Sequence, residues 1–347
     1  MIADPVVRRF EAQVEAFAAM GSALYARVTM RLLADYRARG VTYEFFSDVP
    51  TRAALSTPGV RLLGALHYLA LSGEAPALAM HLPSCGGDGD ADAIWEIAQE
   101  LLVEREEQIG ALFAQTPQTN EVARSTVLLA GLCAVAQETQ CPIRLFEIGA
   151  SAGLNSRLDR YRYEGEGWSW GDENSPLVLR NRIRSGMPSL IERLDITERA
   201  ACDLQPLDVA SPQDRMRLLS FVWADQAERF ARLRAAFEVA QTLPLTVERA
   251  DMFSWLVERV APKAGTATVV MHSVMTEHLT KDDRARLTAT ITGIAERAGD
   301  EAPFALTRME FAPEPRAYET SVTLWPGARR RLIARSDGHA QGIAWIA

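Results

Sequence analysis

The chain has 347 residues, of which 48% are hydrophobic and 24% charged, and it carries a net charge of -8. That balance can bury one large core or two moderate ones, which excludes a disordered chain. The acidic surplus excludes a long nucleic-acid track, because phosphate binding needs an excess of Lys and Arg on at least one face; a small-molecule partner and no nucleic acid are expected.

The first part of the chain reads as helices. Val6, Phe10, Val14 and Phe17 share one stripe, and Tyr25, Val28, Leu32 and Tyr36 share another, each at spacings of three or four. A more evenly apolar helix is predicted over 61–71, ending at Gly73. Residues 83–90, with Gly86, Gly87 and Gly89, form a loop. One long amphipathic helix is predicted over 94–113, with Glu104 to Glu107 on its solvated face. An apolar helix follows over 121–137, opened by Thr119 or Asn120 as N-cap. The first residues carry Asp4, Arg8, Arg9 and Glu11 and no apolar signal core, and no segment reaches the roughly 18 apolar residues of a membrane span. Cys85, Cys133, Cys141 and Cys202 form no Cys-x-x-Cys pair and read as reduced, mostly buried thiols. A cytoplasmic chain without a membrane partner is the expectation.

After Cys141-Pro142 the pattern changes to strands alternating with helices, the signature of a parallel sheet with crossover connections. Strands are predicted over 143–148, 199–203, 245–249, 267–272 and 304–310, with helices over 226–241 and 281–298. Residues 321–325 and 330–334, joined through Pro326-Gly327, form a hairpin, and a short strand over 342–346 ends the chain. Residues 1–140 are thus a helical cap domain and 141–347 a Rossmann-like domain with an insertion at about 156–198. The strand sequence, mostly parallel with a C-terminal antiparallel hairpin, is that of a class I methyltransferase sheet.

The loop after the first of these strands carries the most chemical information. It reads Glu147-Ile-Gly149-Ala150-Ser151-Ala-Gly153, closer to acidic-x-Gly-x-Gly-x-Gly than to the dinucleotide form Gly-x-Gly-x-x-Gly. Gly149 can take positive φ and has no Cβ to block a ligand, while Ala150 and Ser151 keep the turn narrow. Gly153 lets a following helix pack close, its free N–H groups facing the ligand. Glu147 is placed to accept from an amine or hydroxyl. S-adenosylmethionine has no phosphate, so an acid at the strand end meets it without repulsion. An ordinary strand-to-helix turn is the competing reading.

An acidic ribose ligand follows such a loop by about 20 residues, whereas the best candidate, Asp203, comes about 50 residues after Gly153. An insertion must intervene, and its Asp159 to Tyr163 and Trp168 to Asp172 are polar and aromatic enough to cover a ligand rather than fill a core. Asp203 is a candidate for the ribose hydroxyls, and Asp251 for the adenine amino group with Met252 packed on the ring; either could instead be an N-cap. His272 ends the fourth strand, where open α/β sheets place reacting groups, and an imidazole there can act as a base. No pair of histidines has metal-ligand spacing, so no metal is expected. The polar entry Gln118 to Glu121, with Arg124, is read as leaning over the pocket, with plain capping as the alternative.

The segments Gln118-Thr-Asn120-Glu121, Glu147 to Asn155, Asp159 to Tyr163, Asp203 to Asp208, Trp223 to Gln226 with Glu228-Arg229, and His272-Ser-Val together resemble the bacterial family called domain of unknown function 2332, over nearly the whole chain. Ala123 and Leu204 depart from its usual pattern. That family resembles S-adenosylmethionine-dependent methyltransferases in its second half, which implies their fold and no settled reaction. The expectation is transfer of a methyl group from S-adenosylmethionine to an unidentified small molecule. Glu147, Gly149, Ala150, Ser151, Gly153, Asn155, Asp203, Asp251 and Met252 would hold the cofactor. His272 would serve the acceptor, with Asn120, Glu121 and Tyr161 lining the site. A protein binding another adenosine-containing ligand, and a non-catalytic sensor or scaffold, are the alternatives; a homodimer is left open.

Overall fold

The computed structural model describes residues 4–47 and 57–346. Helices α1 (Pro5–Ala19), α2 (Ala23–Arg37), α3 (Val41–Ser47), α4 (Pro58–Leu71), α5 (Pro76–Ala79), α6 (Ala91–Glu104) and α7 (Glu106–Ala114) open the described chain. Next come α8 (Ser125–Thr139), β1 (Ile143–Ile148), β2 (Arg162–Gly165), β3 (Trp168–Trp170), β4 (Val178–Leu179), β5 (Ile183–Ser185) and β6 (Ile196–Asp203). The remainder is α9 (Pro212–Ser220), α10 (Ala227–Thr242), β7 (Val247–Arg249), α11 (Met252–Arg259), β8 (Ala267–Ser273), α12 (Lys281–Ala295), β9 (Phe304–Ala312), β10 (Ala317–Trp325), β11 (Arg329–Ser336) and β12 (Ile343–Trp345). The chain forms two compact units, Met1–Thr119 with Ser211–Ala231, and Asn120–Ala210 with Arg232–Ala347.

All the regular secondary structure of the first unit is helical among its described residues. Asp4 accepts from the Val6 N–H and Pro5 fills the first turn of α1, so that helix starts where its free donors are met. Its stripe of Val6, Phe10 and Phe17 is buried, as the spacing predicts, against Val28, Leu32, Leu62 and Leu69. A stretch from far along the sequence completes this core: Trp223 meets the Phe17 ring edge-on at 4.8 Å between centroids. From the same stretch Asp225 accepts from the Ser22 hydroxyl at 2.6 Å and from the Leu24 N–H at 3.1 Å, capping α2. The helix predicted over 94–113 is in fact two, broken at Arg105 (φ -130). Buried Ile94, Ala98, Leu101 and Leu102 on α6 are followed by Arg105 and Glu106 where the stripe needs apolar residues; it resumes at Ile109 and Phe113.

The second unit is a mixed α/β structure around a nine-stranded sheet of order β5-β12-β11-β10-β9-β8-β1-β6-β7. β7, β6, β1, β8 and β9 are mutually parallel, as their alternation with helices predicts. β9, β10, β11 and β12 run antiparallel in chain order, so the predicted hairpin through Pro326-Gly327 is present with longer strands and belongs to a meander. β5 pairs with β12 in parallel at the far edge. One apolar layer joins Phe146, Ile148, Val270 and Leu306 of the sheet to Phe253, Leu256, Leu287 and Ile291 of α11 and α12. α8 is buried at every position from Ser125 to Val135, which explains its lack of a polar face.

Three local expectations are corrected. The helix predicted over 121–137 begins as a 3-10 turn, Val122–Arg124, capped by Glu121 rather than by Thr119 or Asn120. The glycine loop is followed by a 3-10 segment, Asn155–Arg160, and no α-helix; Gly153 instead admits Val247, whose Cγ2 would lie 2.9 Å from a Cβ there. The insertion forms a small sheet of order β3-β2-β4 with its own core: Tyr161 and Tyr163 are fully buried and Trp170 nearly so.

Candidate functional site

β1 marks a reversal of strand order. The chain places β6 and β7 on one side of it and β8 and β9 on the other, and in open α/β sheets such a switch point opens a crevice beyond the carboxyl ends of the strands. The Gly149 loop leaves β1 there, and the segment Val274, Met275, Thr276 leaves β8 beside it.

The loop alternates left-handed residues, Gly149 (φ 63), Ser151 (φ 55) and Gly153 (φ 66), a pattern that turns successive N–H groups toward common acceptors. Protein oxygens fill that role. The Ser151 N–H donates to Asp203 Oδ2 at 2.8 Å, and the Ala152 and Leu154 N–H groups donate to Asn120 Oδ1 at 3.3 and 3.0 Å. The Ala150 and Gly153 N–H groups go to the carbonyls of Cys202 and Ala150. Beneath the loop, the fully buried Arg157 donates to the carbonyls of Gly153 at 2.8 Å and Leu243 at 2.9 Å. Gly149 is exposed to solvent, but a Cβ there would lie 2.5 Å from Met275 Cγ, so this side chain rests against the loop.

The carboxylates expected to face a ligand divide into distinct roles. Glu147 is 2% exposed and accepts from the Ser156 hydroxyl at 2.5 Å. Burial pushes its carboxyl up to about 7, against the Ser156 hydrogen bond and the Arg157 charge. Asp203 takes the Gln205 N–H on Oδ1 at 2.8 Å and the Ser151 N–H on Oδ2. Each of its oxygens has a second lone pair, and the residue is half-buried. Asp251 is the N-cap of α11, accepting from Phe253 and Ser254 N–H at 3.0 and 3.2 Å, and Met252 packs against the α11–α12 core. Buried Asn155 accepts from the Ser125 hydroxyl. The Tyr161 hydroxyl is given to the Leu154 carbonyl at 2.5 Å, and Glu121 accepts from the Ala123 N–H. Arg124 donates to the Gly338 and Ser273 carbonyls. The structure therefore gathers Asn120, Gly149, Ala150, Ser151, Gly153 and Asp203 into one braced loop, and sets Asn155 and Tyr161 beneath it.

His272 is 1% exposed, and its Nδ1 lies 2.6 Å from Glu310 Oε1. Glu310 also accepts from the Thr276 hydroxyl at 2.6 Å and from the Met275 and Thr276 N–H groups at 3.1 and 3.2 Å. Burial opposes the Glu310 charge, yet the hydrogen bonds from His272, Thr276 and Met275 hold its carboxyl below the ordinary glutamate value. With Nδ1–H directed at Glu310, the neutral ring carries its lone pair on Nε2, which has no hydrogen-bond partner among the described residues. Val274, next to this pair, has φ 51, a conformation that costs a β-branched residue roughly 1–2 kcal/mol. Its N–H donates to the Met309 carbonyl at 2.8 Å, which holds the turn. Glu147 shares the sheet face of its register partner Met271, so His272 projects from the opposite face.

Glu310, Thr276, Met275 and Arg157 are absent from the residues singled out by sequence. A signal for Glu310 exists: Arg308 and Glu310 are charges spaced by two in the otherwise uncharged stretch Ala305 to Phe311. Burial pushes the thiols of Cys202 and Cys133 up to about 12 and about 11, so neither is a ready thiolate nucleophile. Among the described residues no group of His, Cys, Asp and Glu is arranged to hold a metal ion, and no helix is long and apolar enough to cross a membrane. No curated protein and no solved structure matches the chain. The model of the family described as "Uncharacterized protein conserved in bacteria (DUF2332)" matches residues 7–345, and with that span the chain belongs to this family.

Proposed function

We propose that the sheet unit binds S-adenosylmethionine at the carboxyl rim between β1 and β8 and transfers its methyl group to a small molecule. The observation that carries the reading is the use of the loop's own donors. The N–H groups that would cradle a pyrophosphate are spent on Asn120 and Asp203, and an Asp203 carboxylate beside the loop repels a phosphate. NAD and ATP are therefore poor candidates, whereas a phosphate-free sulfonium nucleoside fits the same edge. Asp203 keeps free lone pairs for ribose hydroxyls, Asp251 faces solvent one strand further on, and Gly149 offers a backbone surface with no Cβ. When bound, the cofactor supplies an electrophilic methyl group.

His272 takes the acceptor's proton at Nε2, while Glu310 fixes the ring tautomer and stabilises the imidazolium. Positioning supplies much of the rate in such a transfer, and Thr276 with the strained Val274 turn keeps Glu310 and His272 in one geometry. One observation favours a second reading, a sensor that binds without turnover: Met275 rests on Gly149, so a ligand there displaces the segment tied to Glu310.

Calorimetry with S-adenosylmethionine, its demethylated product, NAD and ATP tests the binding. Micromolar affinity confined to the first two is the expected result; tighter binding of NAD or ATP overturns the reading. Labelled methyl transfer to a component of cell extract then separates enzyme from sensor. His272→Ala should retain cofactor binding and lower that transfer by about 100-fold or more, within the range of a lost general base.

A further inference from the structure

Arg308 is the register partner of His272 on the neighbouring parallel strand. Strand alternation puts it on the same sheet face as Glu310, two residues on, and that face also carries Glu319, paired opposite Glu310 on β10. Both carboxylates are already supplied with donors. Glu310 holds His272, Thr276 and Met275, and Glu319 accepts from Arg330 and Arg335, each at 3.1 Å. Arg308 is half-buried and makes no hydrogen bond or ion pair among the described residues. Burial, with Arg330 close by, pulls its guanidinium below the ordinary arginine value, against the attraction of Glu310 and Glu319. Three guanidinium groups of β9 and β11 thus share this face with two carboxylates, and the planar donor fork of Arg308, within the field of Glu310 and Glu319, is left unfilled beside the His272–Glu310 pair. A guanidinium held partly out of water with its N–H donors unfilled is unfavourable, and its fork matches a planar oxyanion in bidentate fashion.

We propose that Arg308 anchors a carboxylate on the molecule that His272 acts upon, so that the substrate is a small carboxylic acid. Glu310 and Glu319 beside Arg308 disfavour a phosphate dianion relative to a monoanion. The inference rests on the reading of His272 as the group that meets the acceptor, and it adds the acceptor's chemical class.

Acetate and acetamide, equal in shape and different in charge, are suitable probes in saturation-transfer NMR on the full-length protein without cofactor. Acetate should bind in the millimolar range and acetamide should not. Arg308→Gln should weaken acetate by about tenfold or more, the loss expected of a charged hydrogen-bonded pair. Arg308→Lys keeps the charge without the fork and should retain part of the signal, and Arg331→Gln, on the other face of β11, should leave it intact. Acetamide binding as well as acetate overturns the proposal even if the variants fail to fold. Displacement of acetate by inorganic phosphate at equal or lower concentration overturns the carboxylate in favour of a phosphoryl group. Because no cofactor is present, failure here is distinct from failure of S-adenosylmethionine to bind.

Discussion

Asn120 illustrates how one side chain can decide the shape of a loop. Its Oδ1 is the acceptor for two buried N–H groups, those of Ala152 and Leu154. Asn120→Ala strands both, at about 1–3 kcal/mol each, whereas Asn120→Asp keeps the acceptor. Denaturant unfolding should therefore show a loss of about 2–6 kcal/mol for Asn120→Ala and a much smaller one for Asn120→Asp; equal losses would show that the oxygen is not what matters. Glu147 makes a pH-dependent prediction. Its folded carboxyl is raised from 4.5 to about 7 by burial, so the neutral form stabilises the fold fully below about pH 4.5. That contribution is lost as pH rises toward about 7, in total roughly 3 kcal/mol at 1.36 kcal/mol per unit. Glu147→Gln, permanently neutral, should thus be more stable than the native chain at pH 8 and close to it at pH 5. A difference independent of pH would refute the assignment.

At the scale of elements, the turn leaving β8 combines a strained residue with a covering one. Val274 at φ 51 is held by the Met309 carbonyl and by its neighbours' bonds to Glu310. Removing the Cβ with Val274→Gly relieves roughly 1–2 kcal/mol and restores backbone freedom to the unfolded chain, at about 0.5–1 kcal/mol, so a small net stabilisation is expected in thermal melts. Met275 lies over Gly149. Met275→Ala should raise affinity for S-adenosylmethionine in calorimetry, because the native side chain must leave the loop first; unchanged affinity would mean that the ligand does not approach Gly149. Parallel strands and their helices were legible from apolar runs separated by amphipathic stretches, since that alternation leaves few other arrangements. The break at Arg105 was also written in the chain, as a gap in the apolar stripe that a whole-helix reading passed over.

For the whole molecule, the helical unit is discontinuous in sequence. Ser211–Ala231 belongs to it, bringing Trp223 into its core and Asp225 to the start of α2. A fragment of residues 1–119 lacks both and should not melt cooperatively by circular dichroism, whereas Trp223→Ala in the full chain should cost about 3–5 kcal/mol. A cooperative fragment with native helicity would contradict this account of the core.

By itself the sequence determined the main helices and strands, the parallel run of strands, the loop at Gly149 and the position of His272 at a strand end, because each follows from spacing along the chain. Tertiary structure alone decided which acceptors the loop's N–H groups find, that Glu310 meets His272 across 38 positions, and that Tyr161 faces inward. Hydrogen bonds between distant segments depend on where strands are set in register and how deeply each side chain is buried. Neither quantity has a local signature, so a carboxylate that cradles a ligand and one that braces a loop look alike until the chain is folded.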